Sequence, residues 1–235
     1  LGLSDWFKAN KLSLNVKKSN YVIFKEEFDL NIEINGCKMI STKKITFLGV
    51  VLDENLSWKS HISHIACTIS KSVGLIGRSS PCLTTLALKT LYYSLVYPYF
   101  QCCIIAWGYF VTKGIIRIVN KKPFDAHTDP LFRDSKFLKF VDIYSLHLGK
   151  FMYSYNNNLL PPSFSNILLR TNQVHSYNTR GSNQFYIPFC RTNIRKFSII
   201  YQGPVFFNKL GSDIRNSLSL CSFQSKIKNY FLSCY

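Results

Sequence analysis

An α+β fold is what this sequence predicts: a short strand-bearing amino-terminal part, then a mainly helical remainder. Three observations predict it. Up to about Leu52 the apolar residues alternate with polar ones or gather in short β-rich runs, as strands do. From Ile62 they recur every three or four residues, the period of an amphipathic helix. The composition, 47% hydrophobic and 17% charged over 235 residues, supports a packed core and excludes a disordered chain.

The elements follow in order. Leu3, Trp6 and Phe7 share one helical face, and Asn10 can close that helix. Ser19 to Phe24 is short and β-rich. Leu30 to Ile34 alternates, Asn35-Gly36 follows, and Cys37 to Ile40 resumes, which is a hairpin pattern because Asn and Gly tolerate positive φ. Ile45 to Leu52 reads as a further apolar strand, with Gly49 marking a close backbone approach. Ile62, Ile65, Ile69, Val73 and Ile76 define a long helix that Ser79-Ser-Pro81 breaks. A second helix is expected from Thr84 to Tyr97, with Leu88, Leu91, Leu95 and Val96 inward. A short third lies near Ile115 to Val119. A fourth spans about Ser135 to Tyr153, with Phe137, Val141, Tyr144, Leu148, Phe151 and Met152 as its buried stripe. Asn156 to Pro162 reads as a linker. Ser163 to Tyr235 reads as irregular until a helix at Phe223 to Leu232.

Charge narrows the partners. Lys and Arg number 29 against 12 Asp and Glu, a net of +17, which points to a polyanion and above all to nucleic acid. Beyond Gly149 ten basic residues face a single acid, Asp213, and aromatic residues such as Tyr153, Tyr155, Phe164, Tyr177, Phe185, Tyr186, Phe197 and Tyr201 are interleaved with them. A minority of these rings is expected to stack on bases and the rest to belong to the core.

Eight cysteines without a C-x-x-C pair argue against a zinc knuckle or a disulfide framework, and buried free thiols in a reducing intracellular compartment, nucleus or cytoplasm, are expected. His61, His64 and Cys67 step by three and drift around a helix, so no metal site is assigned to them. The 23 uncharged residues between Lys89 and Lys113 are long enough for a membrane span. Pro98 and tyrosines throughout the middle favour a broken, buried helix pair instead, so no membrane partner is expected. The chain opens on Leu1 and not on Met, and is read as a piece of something longer.

The search for catalytic motifs is negative. No Asp-Asp, Gly-rich phosphate loop, H-E-x-x-H or G-x-S-x-G occurs. Glu26-Glu27 and Asp53-Glu54 are neighbours whose side chains diverge on an extended backbone, so they read as surface turns and not as a metal clamp.

What remains is an order of motifs. Trp6-x-x-x-Asn10-x-Leu12-x-Leu14-Asn15-x-x-Lys18-Ser19 is followed by Phe47-Leu48-Gly49-Val50-x-x-Asp53-x-x-Leu56-x-Trp58-x-x-His61-Ile62. Then come Leu91-Tyr92-Tyr93-Ser94-Leu95-x-x-Pro98 and Trp107-Gly108. Later pieces are His127-x-Asp129-Pro130-Leu131-Phe132, Tyr177-Asn-Thr-Arg180, and Gly203-Pro-x-x-Phe-Asn208-x-Leu210 with Ile214-Arg215. In this order they closely resemble the C-terminal half of the reverse transcriptase of non-LTR, LINE-type and jockey-like retrotransposons, across essentially the whole chain.

The resemblance implies the end of a polymerase palm with a β-hairpin, the primer grip, over residues 1–57. It implies a mainly helical thumb over 58–155 and a basic C-terminal region over 156–235. Phe47, Leu48 and Gly49 correspond to the primer-grip hairpin. Lys18 falls where the family carries a lysine thought to protonate the leaving pyrophosphate, so it is the catalytic candidate. Nucleic-acid contacts are expected from Phe47, Leu48, Gly49, Lys59, Lys71, Arg78, Arg170, Arg180, Arg191 and Arg195. The partners implied are an RNA template and a DNA primer, with no small-molecule cofactor. The family's catalytic aspartates are expected upstream of Leu1, so no metal ligand and no cofactor is assigned within this chain, although the full-length family enzyme uses Mg²⁺. The segment between Trp107-Gly108 and Ile115-Ile-Arg117-Ile118 is shorter than the family's, which suits a thumb deletion. The alternative is a non-catalytic nucleic-acid binder, relic or domesticated. A membrane-associated protein is the third reading.

Overall fold

The computed structural model describes residues 3–15, 18–24, 30–34, 36–107, 128–174 and 181–235. The chain divides into two compact units, Leu1–Thr68 and Ile69–Tyr235. Neither expected division falls at that point.

The first unit opens with α1 (Leu3–Ala9). Asn10 closes it as expected, its side-chain amide donating to the Trp6 carbonyl at 2.9 Å. Lys11 then takes φ +54°, and the Leu12 and Lys11 amides return to the Phe7 and Lys8 carbonyls, the Schellman end of a helix. Three two-stranded sheets follow. β1 (Asn20–Tyr21) pairs in parallel with β4 (Ile40–Ser41). β2 (Glu33–Ile34) and β3 (Cys37–Lys38) form the expected antiparallel hairpin with Ile34 opposite Cys37, and Gly36 has φ +73°. Asn35, in the same turn, lies outside the described residues.

The run expected as one strand over Ile45 to Leu52 is instead a second hairpin. β5 (Lys44–Phe47) and β6 (Val50–Asp53) pair antiparallel with Phe47 opposite Val50. Leu48 and Gly49 turn the chain at φ +49° and +82°, the sign pattern of a type I′ turn, and that positive φ ends the strand. Periodicity cannot reveal this, because the turn residues are as apolar as the strands beside them.

α2 (Lys59–Ser79) begins in this unit and continues into the second, ending at the expected break. In the second unit α3 (Thr85–Leu95) is capped by Thr84, whose hydroxyl accepts from the Ala87 amide at 3.3 Å. α4 (Tyr97–Gln101) restarts at once, with Pro98 in its first turn, where a missing N–H costs nothing. α5 (Ile104–Trp107) follows. The helix expected near Ile115 to Val119, with its Arg117, and Gly108 lie outside the described residues.

The helix expected over Ser135 to Tyr153 is two helices, α6 (Thr128–Ser135) and α7 (Phe140–Asn156). Lys136 at φ +57° breaks them apart. The buried face of α7 is therefore turned from the expected stripe. Phe140, Ile143, Leu146, Leu148, Gly149, Met152 and Tyr153 are inside, and Val141 is 52% exposed. Phe137 is buried, but in the connection, stacked on Tyr92 at 4.6 Å.

The region beyond Ser163 is not irregular. After a 3₁₀ turn at Pro162–Phe164 come α8 (Thr171–Val174), α9 (Asn193–Lys196), α10 (Ile199–Lys209), α11 (Ser212–Arg215) and α12 (Leu220–Ser233). α10 and α12 pack on α7, so Asn156 to Pro162 connects parts of one core and is not an interdomain linker. Close approach explains the glycines. A Cβ on Gly203 would fall 2.5 Å from Met152 Sδ, and one on Gly149 3.0 Å from Ile227. The core joins Phe207, Phe223, Ile227 and Met152, and the Tyr153 hydroxyl donates to the Ser217 carbonyl at 2.7 Å.

The thiols depart from expectation. Cys37, Cys67, Cys82, Cys103, Cys221 and Cys234 are exposed, and Cys102 and Cys190 are half-buried. They fall on two-residue strands, turns and outward helix faces, which bury no side chain. Among the described residues no helix is long and apolar enough to cross a membrane.

Candidate nucleic-acid interface

The β5–β6 hairpin is braced from its base. Asp53, 6% exposed, accepts from the Asn55 amide at 3.1 Å, the Ser57 amide at 2.9 Å and the Ser57 hydroxyl at 2.9 Å. Burial alone would raise its pKa; those hydrogen bonds and the charge of Lys44 outweigh it and hold the carboxyl below its ordinary value. The turn so fixed places Leu56 and Trp58 at φ +51° and +62° and delivers His61 beneath the sheet. His61, 1% exposed, accepts through Nδ1 from the Val51 amide at 3.3 Å and meets the Trp58 ring edge-on at 6.4 Å. An accepting Nδ1 requires the neutral ring, and burial, with His64 nearby, lowers its pKa accordingly. The motif from Phe47 to Ile62 thus has a physical content: Val50, Asp53, Leu56, Trp58 and His61 hold a rigid hairpin, turn and helix start.

What the brace presents is apolar. At the tip Phe47 is 61% exposed and Leu48 82%, with Gly49 exposed beside them. An added Cβ on Gly49 would meet nothing within 4 Å. Its role is therefore the turn, since φ +82° suits glycine. Lys18 is exposed in a single turn just before β1, its amide donating to the Asn15 carbonyl at 3.0 Å. Lys59 is exposed in the first turn of α2.

In the second unit Lys71 and Arg78 are exposed two helical turns apart on one face of α2. Arg170 is half-exposed and is engaged within the chain. It donates to the Asn183 carbonyl at 2.7 Å and Asn156 Oδ1 at 2.9 Å, and lies 5.0 Å over the Phe185 ring. That fastening forms the wall of a polar cleft of about 300 Å³ lined by Tyr155, Asn156, Asn166, Arg170, Gln173 and Phe185. The cleft offers hydrogen-bonding groups but no free cation. Arg191 and Arg195 are exposed. Arg180 and Tyr177 lie outside the described residues.

Of the interleaved aromatics, Tyr153 and Phe185 are core. Tyr155 is half-buried, its hydroxyl 2.9 and 2.8 Å from the Ser165 and Leu168 carbonyls. Phe197 is 68% exposed, while Tyr186 and Phe164 lie near the limit of exposure at 36% and 38%. Phe189, 79% exposed, was not singled out from the sequence. The run Tyr186-Ile-Pro-Phe189 has no regular structure, as expected for this stretch, and its last ring is left outside the core. The later motif is structural too. Gly203 lets α10 meet Met152, Phe207 and Leu210 are buried, and Asn208 pairs with Phe185 through both of its amide groups, at 3.2 and 2.8 Å.

No group of three or more His, Cys, Asp or Glu residues converges on one position among the described residues. His61 is buried while His64 and Cys67 are exposed, which separates those three. No family model, curated protein or solved structure matches the chain.

Proposed function

We propose that this chain is a primer- and template-binding part of a non-LTR retrotransposon reverse transcriptase, with the β5–β6 hairpin as its primer grip. The observation that carries the reading is the hairpin tip. A two-residue turn with positive φ at both positions holds Phe47 and Leu48 outward, on a base fixed by Asp53 and His61. Such a tip can slide under a sugar–phosphate backbone without charge, while the exposed Lys18 and Lys59 of the same unit neutralise phosphates. Lys18 is the residue whose position in the family's pattern suits proton delivery to a leaving pyrophosphate.

A second reading, a nucleic-acid binder without catalysis, is favoured by the fate of the acids. Asp53 is buried and its carboxylate accepts three hydrogen bonds within the chain, which gives it a bracing role at the hairpin base. Either way the binding is electrostatic at base. On single strands the log–log salt slope should be about −0.7 per phosphate contacted.

The deciding experiment is fluorescence anisotropy of the 235-residue chain on an RNA–DNA hybrid with a recessed 3′ end, from about 50 to 200 mM salt. Steep weakening with salt, and further weakening by Phe47→Ala with Leu48→Asp, is the expected result. Salt-independent affinity would remove the reading. Mg²⁺-dependent primer extension by the same chain would reject the second reading and the expectation that this segment is inactive alone.

A further inference from the structure

We infer that the segment 186–197 is a stacking platform for unpaired bases, with Phe189 and Phe197 as the stacking rings and Arg191, Arg195 and Lys196 as the phosphate contacts. This rests on the nucleic-acid reading and specifies which form of nucleic acid the carboxy-terminal part takes.

Four observations carry it. First, Phe189 at 79% and Phe197 at 68% are the two most exposed aromatic rings among the described residues. Leaving two phenyl rings in water forfeits the burial that most other described phenylalanines of this unit obtain, which marks an interaction surface. Second, the segment that carries the rings is anchored at both ends. Upstream, Asn208 pairs with both backbone groups of Phe185, and the Tyr186 amide donates to the Leu169 carbonyl at 2.8 Å. Downstream, Gln202 donates to the Lys196 carbonyl at 2.8 Å and the Ser198 hydroxyl to the Arg195 carbonyl at 2.6 Å. Third, Arg191, Arg195 and Lys196, which lie between the two phenylalanines in the sequence, are exposed, and Asp213 is the only acid beyond Gly149. A surface of cations and bare aromatic faces matches a polyanion whose own flat apolar faces are uncovered. Unpaired nucleotides meet that description, and duplex, with its bases stacked inside, does not. Fourth, residues 186–192 have no regular structure and α9 is one turn long, so there is no amphipathic helix to lie in a lipid surface.

The test uses the 235-residue chain and four probes: a fluorescein-labelled oligothymidylate, an abasic strand of equal length, a blunt duplex, and vesicles of phosphatidylcholine with phosphatidylserine. The expected result is that Phe189→Ala and Phe197→Ala each lower affinity for the oligothymidylate by roughly 5-fold or more. They should leave the abasic strand, the duplex and the salt slope unchanged. Arg191→Glu with Arg195→Glu should flatten the slope on both single strands. Phe189→Trp should restore affinity, and its fluorescence should quench on the oligothymidylate and not on the abasic strand. Both rings are exposed, so truncation leaves the core intact. Wild-type affinity for oligothymidylate in the alanine variants would overturn the platform while leaving the nucleic-acid reading standing. Equal effects on the abasic strand would overturn stacking in favour of plain backbone contact. Phe-dependent binding to vesicles without binding to oligothymidylate would replace the platform with a membrane surface. No binding to any oligonucleotide would remove the nucleic-acid reading and the platform together.

Discussion

The side-chain amide of Asn208 occupies both backbone hydrogen-bonding groups of Phe185, donating through Nδ2 to its carbonyl at 2.8 Å and accepting at Oδ1 from its N–H at 3.2 Å. It acts as a one-residue strand, joining α10 to a segment 23 residues away in sequence. Phe185 is 4% exposed, so losing the amide strands backbone groups in a place water cannot easily reach. Asn208→Ala should cost about 1–3 kcal/mol. Asn208→Asp keeps the acceptor and loses the donor, and should also be destabilising. Urea denaturation of the two variants measures this, and a midpoint unchanged by Asn208→Ala would show that the pairing carries no net stability.

Acid should weaken the fold through two histidines. Burial, and then His64, lowers the His61 pKa; burial, and then Lys150, lowers that of His147 to about 4. Unfolded, both would titrate near 6.5. Below that value the unfolded chain binds protons that the folded chain refuses, so stability falls as pH drops from about 7 toward 4. Asp53, held below its ordinary 3.8, keeps its contribution until pH falls through that lower range. Asp142, raised by burial above its ordinary 3.8, works in the opposite sense. Denaturation midpoints should therefore decline between pH 7.5 and 5, and His147→Gln should flatten the decline. Midpoints that stay level over that range would mean that neither imidazole is protected.

Packing of α10 on α7 depends on a missing side chain. Gly203→Ala would drive a Cβ to 2.5 Å from the sulfur of Met152, which is fully buried and has little room to retreat. The cost should be about 1–3 kcal/mol, the usual range for overpacking. Gly149→Ala meets terminal atoms of Ile227, Phe206 and Phe223 at 3.0–3.3 Å and should cost less. A double-mutant cycle of Gly203→Ala with Met152→Ala should show favourable coupling, because the second change opens the space the first needs. Additive effects would place the strain somewhere other than this contact.

These same residues show what could be read from sequence. α2 was legible because five isoleucine and valine positions keep one helical face. α10 was not, because Gly203-Pro204 reads as a loop when the helix packed above it is unknown. The break between α6 and α7 was hidden, since Lys136 at φ +57° carries no glycine to announce it. The hairpin tip was visible only through the motif order, as Leu48 offers no turn chemistry to periodicity. Arg170 looked like a phosphate contact by its charge, and only its partners Asn156 and Asn183 reveal it as a fastener. Phe189 was missed because exposure is a tertiary property.

Leu48 joins the stability of the hairpin to its proposed use. A leucine at φ +49° is held in the left-handed region, which costs a non-glycine residue roughly 1–2 kcal/mol. Its side chain is 82% exposed and recovers little by burial. Asparagine suits the first position of a type I′ turn far better. Leu48→Asn should therefore raise stability, by about 0.5–1.5 kcal/mol, without altering the Phe47–Val50 register. If the tip touches the primer strand, the same change should weaken binding to the recessed RNA–DNA hybrid, because an apolar contact is replaced by a hydrated amide. Thermal melts and anisotropy on the one variant read both quantities. A more stable protein that binds less tightly is the expected pair. Stabilisation with wild-type affinity would show that the leucine is not a nucleic-acid contact, and would take the primer-grip assignment with it. No stabilisation would mean that Leu48 is relieved by a contact at the tip in the free protein.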